Sequence, residues 1–282
     1  SDLDYSEALD IEARSRDNTA NLQLWDANGS SAQEFIVVEN GDGTYSFAPY
    51  CSGRYLDVAG AGTADGTNIR QYDVNGTAAQ SWTVMDNTDE SVSFESSVGK
   101  GCMMDVMNGW AAAGTNVRIW QSNGTSAQKF RAEIVGTVPY KTGNYTVGSA
   151  VGTNLMLDVL KAGTENGTNV VINGKTGTET QTFRLMYGPE GSYRFITFCG
   201  KAVDVAGGRK AICTNIQEYA VNYSKAQNWF IEETKNGTEQ IVSEVSGLCM
   251  NVDNAGTADG TNVQCYTDDG TAAGEWFVSP VA

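Results

Sequence analysis

The sequence predicts an all-β fold assembled from copies of one short unit. The chain holds 32 glycines, many of them beside Asn, Asp and Thr, which is typical of tight turns between short strands. The stretch TADGTNIRQYDVNGTAAQSW (63–82) returns as TADGTNVQCYTDDGTAAGEW (257–276). No long apolar stripe with a helical period accompanies these features. We therefore expect strands, turns and an internal repeat.

The repeated stretch has six copies. Each copy follows a segment of the Leu-Asp-Val type and ends in Gln-x-aromatic, except that Gly274 replaces the glutamine in the sixth copy. The acidic position and the glutamine lie 23 residues apart, as in Asp10 and Gln33, and Asn251 and Gly274 keep that interval. An asparagine follows the acidic position by 11 residues in every copy: Asn21, Asn68, Asn116, Asn169, Asn215 and Asn262. This constant spacing predicts that each copy is one structural unit.

Four short strands are expected in each unit, separated by turns rich in Gly, Asn and Asp. The first lies at segments such as YSF (45–47), VSF (92–94), YTV (145–147) or YRF (193–195), and the second at Leu-Asp-Val. The third lies at IRQY or VRIW, and the fourth at QSWTV or QKFRA, whose aromatic should enter the core. Only nine residues precede Asp10, so the first strand of that unit is either shortened into LDY (3–5) or lies in a longer protein.

The spacing of the terminal aromatics divides the chain into two halves. Successive gaps between these aromatics are 47, 48, 53, 46 and 47 residues, and the longest contains the connector around 134–144. We therefore predict two domains, 1–136 and 137–282, with three units each. Three such units cannot each bury a core alone, but together they can close a barrel with threefold pseudosymmetry.

Charge and composition exclude several classes of function. The formal charge of −16 disfavours nucleic acid and anionic membrane surfaces as partners, and no apolar run is long enough for membrane insertion. The absence of histidine excludes His-based triads and His metal ligands, and no nucleotide-binding loop or calcium loop is found. One acid per repeat is a poor arrangement for a glycosidase, which needs two unlike carboxylates. We expect no catalysis and no cofactor.

The motifs resemble those of the ricin B-type lectins, also called family 13 carbohydrate-binding modules. The resemblance rests on Leu-Asp-Val, a strand ending in an aromatic, and Gln-x-Trp, and it covers nearly the whole chain. The segment LDVAGAGTADGTNIRQYDVNGTAAQSW (56–82) resembles sequences in the modules of bacterial surface proteins and glycoside hydrolases. The resemblance implies two tandem β-trefoils that bind glycans, of galactose type or from plant or mucin polysaccharides, through shallow pockets. We expect a monomeric module of a larger secreted or cell-surface protein, since the opening SDLDYSEALDI is not a signal peptide.

The resemblance also implies which residues touch sugar. In that family the Asp of Leu-Asp-Val bonds sugar hydroxyls, a polar residue 13 positions later adds bonds, and the aromatic 15 positions later stacks on the ring. Carried over, the carbohydrate-binding residues are Asp10, Gln23 and Trp25; Asp57, Arg70 and Tyr72; Asp105, Arg118 and Trp120, with Trp110 nearby; and Asp204, Gln217 and Tyr219.

Three departures from the family pattern stand out. The fourth unit has lost its ring, because Val171 and Asn173 occupy the polar and aromatic positions, and the sixth has Asn251 for the acid. In every unit the family's Asn before the Gln is Ala or Thr, which removes a usual hydrogen-bonding group.

Other interpretations remain open at this stage. The acids can equally fix turns, and the chain can be a structural or protein-binding trefoil with relic pockets, in which case the aromatic rings beside the acids would be buried. Matching places in the repeats suggest the disulfides Cys51–Cys102 and Cys199–Cys249, leaving Cys213–Cys265, with free buried thiols as the alternative.

Overall fold

The computed structural model describes residues 1–281 and consists of two compact units, Ser1–Val138 and Pro139–Ala282. The regular structure of the described residues is β-strand and short 3₁₀-helix, as predicted for an all-β chain. The strands of the first unit are β1 (Glu7–Ile11), β2 (Leu22–Asp26), β3 (Phe35–Glu39), β4 (Tyr45–Pro49), β5 (Tyr55–Val58), β6 (Ile69–Tyr72), β7 (Trp82–Asp86), β8 (Val92–Ser96), β9 (Cys102–Val106) and β10 (Val117–Gln121). Those of the second are β11 (Gly143–Ser149), β12 (Leu155–Val159), β13 (Thr168–Gly174), β14 (Phe183–Tyr187), β15 (Tyr193–Ile196), β16 (Ala202–Val205), β17 (Thr214–Tyr219), β18 (Trp229–Glu233), β19 (Glu239–Ser243), β20 (Cys249–Val252), β21 (Thr261–Tyr266) and β22 (Trp276–Pro280).

The 3₁₀-helices occur at two recurring places and once elsewhere. One set follows the Leu-Asp-Val strands: Glu12–Arg14, Ala59–Ala61, Met107–Gly109, Leu160–Ala162, Ala206–Gly208 and Asp253–Ala255. A second set contains the glutamine position: Ala78–Gln80, Ser126–Gln128, Glu179–Gln181, Lys225–Gln227 and Ala272–Gly274. The remaining one is Pro189–Gly191. Both recurring turns flank the acidic residue of their repeat.

Antiparallel hairpins carry the Leu-Asp-Val segments, and they meet through the repeated asparagines. In each unit three hairpins form, β1–β2, β5–β6 and β9–β10 in the first and β12–β13, β16–β17 and β20–β21 in the second. The side chain of Asn215 donates to Asn169, and Asn169 donates to Asn262, each at 2.8 Å. The constant 11-residue spacing therefore places one amide of each hairpin at a common junction.

The other strands of the second unit form a closed ring. Strand β11 pairs with β14, β14 with β15, β15 with β18, β18 with β19, β19 with β22, and β22 with β11. Inside it lie the fully buried Phe183, Phe195, Trp229 and Trp276, which fill the core as expected.

The corresponding ring of the first unit is open. The ladder runs from β3 through β4 and β7 to β8, and β8 reaches Phe130 only by an isolated bridge. The predicted strand at QKFRA is therefore wrong, since Phe130 forms only this bridge, and LDY (3–5) contains no strand either. Without a strand on that side, Phe35 is only half-buried, whereas the other terminal aromatics are buried.

The cysteine pairs suggested by repeat position are also absent. No disulfide joins any of the six cysteines in the described residues. The thiol of Cys51 lies 3.9 Å from the Ser15 carbonyl oxygen and that of Cys102 lies 3.8 Å from the Thr63 carbonyl oxygen. Cys51 and Cys102 therefore each contact a main-chain carbonyl of another segment rather than each other.

Candidate functional site

The glutamine of Gln-x-aromatic fixes the acidic residue of its own repeat. In the first repeat the Gln33 amide donates to Asp10 Oδ2 at 3.2 Å and to the Asp26 carbonyl oxygen at 3.0 Å. Its own carbonyl oxygen accepts the main-chain N–H of Asn28 at 2.8 Å. The same three bonds recur around Gln80, Gln128 and Gln181. We call this arrangement the glutamine clamp; it explains the constant 23-residue interval.

The residue 13 positions after the acid lies directly opposite it in the hairpin. Gln23 donates to Asp10 Oδ1 at 3.1 Å, and Gln217 donates to Asp204 Oδ1 at 3.1 Å. In the second and third repeats this position is arginine: Arg70 and Arg118 each place Nε 3.2 Å from the aspartate opposite, Asp57 and Asp105. Each of these carboxylates is therefore held from two sides.

Burial perturbs the ionisation of three of these acids. Asp57, Asp105 and Asp204 are each no more than 5% exposed. Loss of solvent raises the pKa of all three above the ordinary aspartate value, although the hydrogen bonds from the opposing Arg or Gln oppose the rise.

The aromatic side chains that follow fall into two groups. Trp25 is 42% exposed and Tyr219 is 39% exposed, and each stands two residues along the strand from the glutamine opposite the acid. Tyr72 and Trp120 are half-buried instead. The guanidinium carbon of Arg70 lies 4.5 Å from the Tyr72 ring centre, and that of Arg118 lies 4.0 Å from the Trp120 ring centre. The arginine repeats therefore have one ring face covered by a cation.

The predicted sites of the first, third and fifth repeats are open cavities. The first-repeat cavity is about 420 Å³ and contains Asp10, Gln23 and Trp25. The fifth-repeat cavity is about 510 Å³ and contains Asp204, Gln217 and Tyr219. The third-repeat cavity is about 300 Å³ and contains Asp105, Arg118 and Trp120. Each cavity is lined by the 3₁₀ turn after the acid and by residues just before the glutamine position, and it brings the acid, the polar residue and the ring together.

The cavities also contain a residue that the sequence reasoning missed. An asparagine 18 positions after the acid lines each of them: Asn28, Asn123 and Asn222. The side-chain oxygen of each accepts the main-chain N–H two residues later, at 2.9–3.0 Å, which fixes the side chain. The signal was present as an Asn-x-Ser/Thr triplet at a constant offset from the acid. These amides stand beside Ala32, Ala127 and Ala226, where the family pattern has an asparagine.

The remaining predicted positions are arranged differently. Trp110 is 59% exposed after its 3₁₀ turn and is not among the residues that line the third-repeat cavity. In the fourth repeat Asn173 occupies the position that is aromatic elsewhere, so this repeat has no ring there, and its side chain donates to Asp158 at 3.1 Å. In the sixth repeat Gln264 donates at 3.1 Å to Asp253, which lies in the turn, rather than to Asn251.

Residues 1–281 contain no cluster of three or more Cys, Asp or Glu side chains suited to a metal ion. Nor does any helix in that range have the length and apolar character needed to cross a membrane. The three cavities present carboxylates, amides and ring faces, which suit a polyhydroxylated molecule, since carboxylates accept hydroxyl hydrogen bonds and rings contact C–H faces.

Comparison with known proteins identifies one family. The model of the ricin-type beta-trefoil lectin domain-like family matches residues 4–72, 49–120, 78–173 and 179–266. No curated protein matches the chain.

Several solved structures are similar. The designed threefold-symmetric protein ThreeFoil is 28% identical with a TM-score of 0.48, over 49% of this chain and 99% of that one. The Rhizoctonia solani agglutinin is 17% identical with a TM-score of 0.46, over 52% of this chain and all of that one (100%). The Polyporus squamosus lectin, solved with a sialylated human-type influenza-binding epitope, is 23% identical with a TM-score of 0.43, over 49% of this chain. The match spans 48% of that lectin's own length.

Proposed function

Because the chain belongs to the ricin-type β-trefoil lectin domain-like family, we propose that it binds glycans through shallow pockets and catalyses no reaction. The pockets are those of the first, second, third and fifth repeats, where an acid, a polar side chain and a ring coincide. The residues that contact sugar are those that the motif implies in these repeats, with Asn28, Asn123 and Asn222 added.

The first-repeat cavity is the observation that carries this proposal. Asp10 lies at its base with both oxygens directed by glutamine amides, which leaves lone pairs to accept sugar hydroxyls. Trp25 forms one wall and exposes enough ring for a sugar to stack on it. One such site reaches an affinity of ~1 mM, about −4 kcal/mol. Several linked sites raise the avidity for a repeating glycan by roughly 10²–10⁴.

The repeats with glutamine opposite the acid (the first and fifth) and those with arginine there (the second and third) should differ in sugar preference. In the first and fifth repeats the aspartate faces a neutral amide, so the pocket keeps a negative charge. In the second and third repeats the arginine balances the aspartate and covers one ring face. The unbalanced negative charge of the first- and fifth-repeat pockets disfavours acidic sugars, so neutral sugars suit these two pockets best. We therefore rank the pockets of Asp10 and Asp204 first.

The proposal extends to the architecture and setting of the chain. Each compact unit is a β-trefoil of three repeats, so the two stand in tandem along the sequence. Support comes from the closed ring and three hairpins of the second unit and the repeated family match. We propose that the chain is a monomeric module of a secreted or cell-surface protein and that it binds galactose-type glycans or plant or mucin polysaccharides. The formal charge of −16 disfavours nucleic acid as an alternative partner.

A glycan array probed with the intact chain tests the proposal. We expect binding to a subset of neutral glycans, and weaker binding by the double variant Trp25→Ala with Tyr219→Ala. Phe277→Ala is the matched control, because Phe277 is also a partly exposed ring (48%) and lines none of the three cavities. Equal loss in the control, or unchanged binding by the double variant, would contradict the assignment of these pockets.

A structural scaffold is the second candidate, and one observation favours it. The acids are nearly buried and already bonded within their repeats, as a purely structural residue would be. A folded chain that binds no glycan on the array would support this alternative.

A further inference from the structure

The sixth repeat has lost the side chain that fixes the acidic position in the other repeats. Gly274 stands at the glutamine position of the clamp, and it is buried. A Cβ placed on Gly274 would lie 3.7 Å from the side-chain nitrogen of Asn251 and 4.0 Å from Cys249 Cβ. Beyond its neighbours along the chain, no other described group would come within 4 Å. The space that a glutamine amide fills in other repeats is therefore open in the sixth.

The side chain of Asn251 is directed at this space and has no partner. Asn251 is only 4% exposed, and its side chain makes no hydrogen bond within residues 1–281. At the same position of the fourth repeat, Asp158 accepts the Gln181 amide at 2.9 Å. Because a buried polar group without a partner is unfavourable, a ligand that reaches Asn251 gains a hydrogen bond that the chain itself does not supply.

The carboxylate of the sixth repeat lies in the neighbouring turn. Gln264, which is opposite Asn251 in the hairpin, donates to Asp253 Oδ1 at 3.1 Å, the distance found for the corresponding pairs of the first and fifth repeats. Asn254 also donates to Oδ1, at 2.9 Å, which leaves Oδ2 of the half-buried Asp253 to accept from a ligand. The corresponding residue of the first repeat, Glu12, lines the first-repeat cavity. Position 253 therefore faces the pocket side of its repeat.

A second carboxylate occupies another pocket position. Asp269 stands where the first, third and fifth repeats have their pocket asparagines, and it accepts the Thr271 hydroxyl at 2.7 Å and the Thr271 main-chain N–H at 3.0 Å. Burial raises the pKa of the Cys249 thiol to about 11, and the negative charges of Asp268 and Asp269 contribute to the rise. Residues 236–282 contain no Lys or Arg, so no cation of this repeat balances its acids.

We propose that the sixth repeat is a further glycan pocket and that it takes a sugar with a free ammonium group, an unacetylated hexosamine. This inference rests on the proposed glycan binding and adds a substrate class to it. The ammonium group pairs with Asp253 and Asp269, since charge-assisted hydrogen bonds are the stronger ones. A neighbouring hydroxyl bonds Asn251 in the space beside Gly274. Tyr266, half-buried and two residues after the glutamine opposite Asn251, offers part of its ring to the sugar.

An NMR titration of the full chain with glucosamine tests this assignment, at a slightly acidic pH where the amine is protonated. N-acetylglucosamine is the matched ligand, because acetylation removes the charge and keeps the sugar ring. We expect saturable shifts of the sixth-repeat signals with glucosamine, and binding of N-acetylglucosamine there that is weaker by about tenfold or more. Ethanolamine supplies an ammonium group without a ring and should also bind more weakly. Ethanolamine affinity equal to that of glucosamine would overturn the assignment to a sugar.

Two variants locate the binding. Gly274→Gln fills the space beside Asn251 and should abolish glucosamine binding at the sixth repeat, whereas the matched control Gly274→Ala should keep it. Asp253→Asn removes one charge with little change of shape and should weaken glucosamine binding about tenfold, with N-acetylglucosamine nearly unaffected. Equal affinity for the two sugars in the unmodified chain, or glucosamine binding that Gly274→Gln leaves unchanged, would overturn the proposal.

The glycan array separates this inference from the proposed function. Neutral glycan binding that depends on Trp25 and Tyr219, together with no glucosamine binding at the sixth repeat, would overturn the inference and leave the proposed function intact. Glucosamine binding that Gly274→Gln abolishes, in a chain that binds no neutral glycan, would support the inference and contradict the assignment of the first and fifth pockets.

Discussion

Restoring the missing glutamine of the sixth repeat should stabilise the chain. Gly274 occupies the clamp position and does not have a positive φ, so a side chain is compatible with its backbone. A Cβ there would have only ordinary contacts, 3.7 Å to the Asn251 side chain and 4.0 Å to Cys249 Cβ. By the offsets of the other repeats, the new amide would donate to the Thr267 carbonyl oxygen and the Asn251 side chain. It would accept the main-chain N–H of Asp269.

The magnitude follows from these bonds. Each hydrogen bond contributes about 1 kcal/mol net, so the clamp supplies roughly 3 kcal/mol. Fixing the glutamine rotamer costs about 1.5–2 kcal/mol. The side chain should therefore add about 1 kcal/mol, and removing the backbone freedom of glycine adds about 0.4–1 kcal/mol more. The expected rise in Tm is about 2–4 °C for each kcal/mol.

Urea and thermal unfolding of the intact chain measure this change, with tryptophan fluorescence as the signal. Gly274→Ala is the matched control, because it gives the backbone contribution without the hydrogen bonds. We expect Gly274→Gln to exceed Gly274→Ala by about 1 kcal/mol. If the two variants are equally stable, or Gly274→Gln is the less stable, the clamp does not stabilise its repeat as we argue.

Three further predictions concern binding and reactivity. Trp25→Ala should weaken glycan binding about tenfold at the first-repeat pocket, measured by titration calorimetry, because the exposed ring loses its stacking area; unchanged affinity would contradict this role. Glycan binding at the fifth repeat should be lost as the pH falls through the pKa of Asp204, because protonation removes an acceptor. Since burial raises that pKa, the loss should occur at a higher pH than for an ordinary aspartate. An NMR pH titration that gives Asp204 an ordinary aspartate pKa would contradict this prediction. The exposed thiol of Cys213 should react with a disulfide reagent in the native chain, whereas Cys265, buried and with its pKa raised to about 12, should react only on unfolding; equal native rates would exclude this order.

Much of the fold follows from the sequence because the repeats constrain one another. Six copies with one interval predicted a strand at Leu-Asp-Val and another at the segment that contains the polar and aromatic positions. The structure pairs these two strands, with Asp10 opposite Gln23 and Asp204 opposite Gln217. The family assignment from Leu-Asp-Val and Gln-x-aromatic is confirmed by the family model. These features are local, so spacing alone can encode them.

Long-range features were harder to predict. Whether QKFRA forms a strand depends on pairing with distant residues, and Phe130 makes only one bridge, to Val92. The cover of Arg118 over Trp120 depends on side-chain packing, and the cysteines appeared paired only because the repeats align in sequence. The pocket asparagines were visible as triplets, but only the turn geometry shows that Asn28 and Asn222 line the cavities.

The glutamine clamp determines where this chain can tolerate insertions and deletions. Because the clamp joins two ends of a 23-residue segment through side-chain bonds, a single inserted residue between acid and glutamine would break it. The stretch from the terminal aromatic to the next acid carries no such bond, and all the variation in repeat length falls there. A library that diversifies length should therefore place its insertions in that stretch and keep each clamped segment intact.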